Sequence, residues 1–150
     1  MSFWKTDLPQ AEKNFSVAIV TAEFNADFVE KLLDNTINNL EKCGIKNIEI
    51  FLVPGSFEIP VTVKKISENN NFDSIITLGV ILRGETIHFD LISKNCAERI
   101  SKIATSKNIP IIFGVLSVEN ENQAKERIAR GKEFASAAVK MMNLFSQFSE

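Results

Sequence analysis

The stretch GVILRGETIHFD, residues 79–90, holds the chain's one histidine, His88, between a glycine-flanked arginine and an aspartate. An imidazole titrates near ~6.5 and can both give and take a proton at cellular pH, which makes His88 a candidate proton shuttle. The plainer reading is a polar residue in the first turn of a helix. Gly84 permits a tight turn, and the N–H groups of Glu85 and Thr86 would then face a crevice at a helix N-terminus, where the dipole favours an anion such as phosphate. A plain loop with a threonine cap accounts for the same letters.

Other segments offer complementary chemistry. In VPGSFEIP, residues 53–60, the Glu58 carboxylate suits sugar-like hydroxyl donors, or serves as an acid at a helix N-terminus. Phe24 suits stacking on a flat heterocycle whose edge the Asn25 amide could read, or packing as a hydrophobic staple. Arg127, in QAKERIARG, is either a phosphate fork or part of a solvated helix face. No GxGxxG or GxxxxGK[ST] string occurs, which argues against a dinucleotide fold or a P-loop. One histidine without a cysteine partner argues against a zinc site.

The elements that must hold these residues alternate strand and helix. Residues 16–22, SVAIVTA, form a β-branched apolar run of the kind buried on both faces. A helix follows in which Phe28, Leu32, Leu33, Ile37 and Leu40 share a face, with Asn25 to cap its start and Gly44 to end it. Strand two covers 47–53. Ile59, Val63 and Ile66 then define a second helix with Pro60 in its first turn. Strand three covers 74–80; Leu91, Ile92, Cys96, Ile100 and Ile103 mark a helix over about 88–106, and strand four covers 109–116. A short polar helix over 121–130 and an apolar one through Phe134, Ala137, Ala138, Met141 and Phe145 complete the chain. Four strands separated by helices predict a parallel sheet covered on both faces, a flavodoxin-like three-layer α/β sandwich. In such sheets ligands bind beyond the carboxyl ends of the strands, where EFN, PGSFE, ILRGETIH and SVEN all fall.

Composition limits the partners. The 150 residues, 45% hydrophobic and 24% charged, fit one domain, residues 16–150, preceded by an N-terminal arm, residues 1–15. A net charge of -2 from 17 basic and 19 acidic residues gives no bulk field for nucleic acid or an anionic membrane. The start of the chain has neither a signal-peptide nor a transit pattern, and no apolar run approaches a bilayer span, so a cytoplasmic location is expected. Cys43 and Cys96 belong to no CxxC or Cys/His cluster and read as reduced core residues.

Together, EFN, VPGSFEIP, GVILRGETIHFD, PIIFGVLSVEN and QAKER resemble, in order and approximate spacing, the lumazine synthase family of riboflavin biosynthesis, over about residues 17–144. The resemblance implies a transferase that condenses 5-amino-6-(D-ribitylamino)uracil with 3,4-dihydroxy-2-butanone 4-phosphate to 6,7-dimethyl-8-ribityllumazine, releasing phosphate and water, with no metal or organic cofactor. It implies that Phe24 stacks on the pyrimidine beside Asn25, and that Ser56, Phe57 and Glu58 line the ribityl pocket. The backbone of Val80, Ile81 and Leu82 reads the uracil edge, and Glu85, Thr86 and Arg127 hold the phosphate. His88 moves protons, and Phe113 enters from a neighbouring protomer of a homopentamer, whose N-terminal strand can extend the sheet. RIARGKEF is shorter than the Gly- and Lys-rich connection of many family members. That leaves Lys132 or Arg130 as counterpart of a lysine near the phosphate, and leaves assembly beyond the pentamer open. The competing reading is a non-catalytic module that binds a lumazine or flavin.

Overall fold

A computed structural model describes residues 7–69, 71–84 and 88–148. In chain order the elements are β1 (Ser16–Ala22), α1 (Ala26–Lys42), β2 (Asn47–Val53), α2 (Ile59–Ser67), β3 (Ser74–Leu82), α3 (Phe89–Lys107), β4 (Ile111–Val118), α4 (Glu121–Arg127) and α5 (Gly131–Ser146). Single 3-10 turns over Ser56–Glu58 and Ile128–Arg130 lead into α2 and α5. The strands form one parallel sheet in the order β2-β1-β3-β4.

Alternation along the strands builds a core on each face. Val17 and Ile19 of β1 join Ile76, Leu78 and Val80 of β3 against α1 and α5, where Leu32, Leu40, Phe134, Ala138 and Met142 are buried. Ala18, Val20 and Ala22 join Ile75 and Ile81 against α2 and α3, through Ile59, Val63, Cys96 and Ile100. This is the flavodoxin-like sandwich the apolar runs predict. Of the arm, Ala11 donates its N–H to the Cys43 carbonyl (2.9 Å), and the Asn143 amide bridges the Gln10 carbonyl and the Glu12 N–H (3.0 and 2.9 Å). The segment before β1 is thereby tied to the C-terminal ends of α1 and α5.

Gly44 ends α1 as expected, at φ 91, with Ile45 N–H on the Leu40 carbonyl and Gly44 N–H on that of Glu41. This Schellman turn is closed by the buried Leu40 and Ile45 side chains. Three boundaries differ from the sequence reading. β3 runs two residues further, to Leu82, and β4 is displaced two residues along, to 111–118, because the two pair residue for residue up to Leu82↔Val118. Polar Ser117 therefore sits within an edge strand instead of opening a loop. Leu91, one of the apolar residues that mark α3 in the sequence, is 66% exposed; Phe89, Cys96 and Ile100 carry the buried face.

Candidate active site

The strand order reverses between β1 and β3, whose following segments leave in different directions and open a crevice at their carboxyl ends. Beyond β1 the ladder continues: Glu23 N–H donates to the Val53 carbonyl (2.8 Å) and Phe24 N–H to that of Pro54 (3.1 Å). The Phe24 ring is left 59% exposed at the rim. Asn25 adopts a left-handed conformation, φ 62, and its side chain makes no helix cap, contrary to the sequence expectation. Its Nδ2 donates instead to the Val80 carbonyl at 2.7 Å, 55 residues away, which ties the start of α1 to the end of β3. A tertiary acceptor has outcompeted the local N–H groups that an asparagine at a helix start ordinarily engages.

The turn after β2 is built by close approach. Ser56 is buried against Gly79 of β3, where an added Cβ would lie 2.6 Å from the Ser56 Oγ, so a side chain at Gly79 would displace the turn. The Cys96 thiol donates to the Ser56 carbonyl at 3.6 Å. Burial holds Cys96 protonated, its pKa raised to about 11. Phe57 is 67% exposed, and the Glu58 Oε1 lies 3.5 Å from the Cβ position of Gly55. Phe24, Gly55, Ser56, Phe57, Val80, Ile81, Leu82 and Ile92 together line a depression of about 170 Å³. Glu58 borders instead the adjoining groove between α2 and α3, which also takes in Phe57, Pro60 and Val61.

Beyond β3, Gly84 has φ 96 with open space around its Cβ position, so it is the backbone angle that calls for glycine there. Glu85 and Thr86 lie outside the described residues. His88 immediately precedes α3, is exposed, and accepts the Ile92 N–H on its carbonyl (2.8 Å). Arg83 gathers partners from three places. Its Nε donates to the Glu119 Oε2 (2.7 Å), its Nη2 to the Asp90 Oδ1 (3.3 Å), and its guanidinium lies 4.4 Å from the centre of the Phe89 ring. The hydrogen bond to Glu119, then that to Asp90, raise its pKa above the ordinary value.

Beyond β4, the Asn120 Oδ1 accepts the Gln123 N–H (2.9 Å) and the Gln123 Oε1 accepts the Glu119 N–H (2.8 Å), a near capping box that starts α4. Arg127, half-buried at the end of α4, donates from Nη1 to the Ser117 carbonyl (3.3 Å). Phe113 stands apart. It pairs with Thr77, three positions before the Val80↔Leu116 pair, which puts it about 10 Å back along the sheet. Of the two candidates for the family's lysine, Arg130 is bonded to Glu133 (2.9 Å) and stacked 5.3 Å from the Phe134 ring centre, whereas Lys132 is exposed. Among the described residues no group of three or more His, Cys, Asp or Glu side chains is placed to hold a metal ion.

The fold thus brings Phe24, Ser56, Phe57, Val80, Ile81 and Leu82 to one depression, with Asn25 bonded to its Val80 and Glu58 in the adjoining groove. His88 and Arg127 are not among the residues that line it: His88 precedes α3 and Arg127 ends α4. Gly55 and Ile92 were not anticipated as lining residues, and the Arg83 contacts were not anticipated at all. The glycine-flanked arginine was visible in the sequence, but its partner Glu119 is 36 residues away.

The profile of the family described as 6,7-dimethyl-8-ribityllumazine synthase matches residues 14–146. Among curated relatives, the 6,7-dimethyl-8-ribityllumazine synthase of Thermococcus onnurineus is 40% identical over 136 residues, covering 88% of this chain and 90% of that protein. Those of Pyrococcus furiosus and Thermococcus kodakarensis are 39% and 36% identical over 138 residues, covering 89% of this chain and 87% and 88% of theirs.

Proposed function

Because the chain belongs to the 6,7-dimethyl-8-ribityllumazine synthase family, we propose the division of labour by which it condenses 5-amino-6-(D-ribitylamino)uracil with 3,4-dihydroxy-2-butanone 4-phosphate in riboflavin biosynthesis. The observation that carries the assignment is the bond from Asn25 to the Val80 carbonyl across the sheet's reversal point. It joins an exposed ring, Phe24, to the main chain at the end of β3, the pairing needed to stack a pyrimidine while reading its edge. Ser56, Phe57 and Glu58 take the ribityl chain, with the carboxylate accepting from its hydroxyls.

Arg127, with Glu85 and Thr86, takes the phosphate, and His88 moves protons as the amine attacks the ketone, phosphate departs and the ring closes. Such a reaction depends mainly on positioning, which can account for about 7–11 kcal/mol of the barrier, and a well-placed acid–base adds about 100-fold to 10,000-fold.

A depression of about 170 Å³ is smaller than the ~300–1,000 Å³ typical of ligand pockets, and Phe113 lies three register positions back along the sheet and does not line it. Both features support a site completed by a second copy of the chain, in a homopentamer to which Phe113 is contributed by the neighbour. Exposed Ile50 and Leu52 on edge strand β2 and exposed Val61 on α2 are apolar surface for that contact. Two free, buried cysteines fit a reducing, cytoplasmic setting. Incubating the purified protein with both substrates tests the reading: the lumazine chromophore forms only when both are present. Its absence under those conditions rejects the proposal.

A further inference from the structure

One guanidinium joins three segments that meet at the site. Arg83 follows β3 directly, and its N–H extends the ladder to the Val118 carbonyl (2.9 Å). Its side chain reaches forward to Asp90 and Phe89 in the first turn of α3 and sideways to Glu119, the residue between β4 and the cap of α4. His88 is the residue before Phe89. Glu119 is fixed to Gln123 within α4, and α4 ends on Arg127, whose guanidinium returns to the Ser117 carbonyl. Contacts therefore branch from the end of β3, to the His88 side through Asp90 and Phe89 and to the Arg127 side through Glu119. The planar fork of arginine suits this, since two donors at fixed spacing are held by two carboxylates while the flat face lies on an aromatic ring.

We propose that Arg83 is a positioning residue that sets the separation of His88 from Arg127 through Asp90 and Glu119. The inference rests on the functional reading above, in which these two side chains serve proton transfer and phosphate binding. Arg83 itself is engaged by Glu119, Asp90 and the Phe89 ring. Because its side chain and those of Asp90 and Glu119 are about half exposed or more, the ion pairs contribute little to stability. The role is therefore separable from folding.

The test is steady-state kinetics on Arg83→Gln, Glu119→Gln and the double variant, with each substrate varied in turn and the thermal midpoint recorded. For Arg83→Gln, kcat/KM for the phosphorylated ketone falls about tenfold to a hundredfold, the scale of a displacement near 1 Å. The KM for the pyrimidine and the melting temperature stay close to wild type. Glu119→Gln gives a similar loss, and the double variant is no worse than the poorer single one, because both substitutions break the same branch. Wild-type kcat/KM in Arg83→Gln, strictly additive losses, or parallel rises in both KM values with a lowered melting temperature each overturn the inference while leaving the functional reading intact. A wild-type protein that forms no lumazine overturns both. If Arg83→Gln does not fold, Glu119→Gln alone carries the test by the same split between the two substrates.

Discussion

At the scale of single residues, the side chains with distinctive chemistry were recognisable by type, and the ones that position them were not. His88 and Arg127 stand out in the string because an imidazole and a guanidinium have few equals for moving protons and binding phosphate. Asn25 was misread because its local setting, the residue before a helix, outweighs any sign that a carbonyl 55 positions away waits for its amide. That bond leads to a test by urea unfolding. Asn25→Gly keeps the left-handed backbone but removes the Cβ together with the amide, so relief of backbone strain offsets part of the ~1 kcal/mol lost with the bond. Asn25→Ala removes the amide while keeping the Cβ that the wild type already carries at φ 62, and loses about 1 kcal/mol for the bond, more than the glycine variant does. Equal stability in the alanine variant and the wild type would mean that the amide holds nothing. The Arg83 contacts were unreadable for a related reason: Glu119 lies on another strand's end, and only the β3–β4 register places it alongside.

At the scale of elements, periodicity located every strand and helix, and it failed where tertiary pairing extends a ladder through polar residues, as at Ser117. Gly131 begins α5 because a Cβ there would come within 2.7–2.9 Å of Asn35 and Thr36 on α1, a constraint with no local signature. Helix α3 is fixed to the site by Cys96, whose buried thiol meets the Ser56 carbonyl. The folded pKa of Cys96, about 11, lies above its ordinary value of 9.0. Below pH 9 both folded and unfolded states carry the proton and the full stability is present. Between pH 9 and about 11 the unfolded chain gives up its proton first, so stability falls as pH rises. Cys43, also raised by burial, acts in the same direction. The chain has no tyrosine to titrate over the same range. Urea midpoints measured at about pH 8 and pH 10 should drop more steeply in wild type than in Cys96→Ala, by on the order of 1 kcal/mol. Parallel decline in the two proteins would remove Cys96 as a cause.

At the scale of the whole molecule, the strand order β2-β1-β3-β4 brings separate loops to one depression, and the fold class was legible because each strand centres on a short apolar stretch that a helix follows. What the chain alone leaves open is the outer wall of a small depression and the exposed apolar residues of β2 and α2. The proposed pentamer would cover both: sedimentation equilibrium should give five times the 16.8 kDa chain mass, or a multiple of that assembly, and a monomer at all concentrations contradicts it. The proposed proton transfer by His88 is tested most directly by single-turnover kinetics of His88→Ala with both substrates saturating, alongside equilibrium binding of the pyrimidine. The account predicts a rate of lumazine formation lower by about 100-fold to 10,000-fold with pyrimidine affinity unchanged. A variant that forms lumazine at the wild-type rate contradicts it.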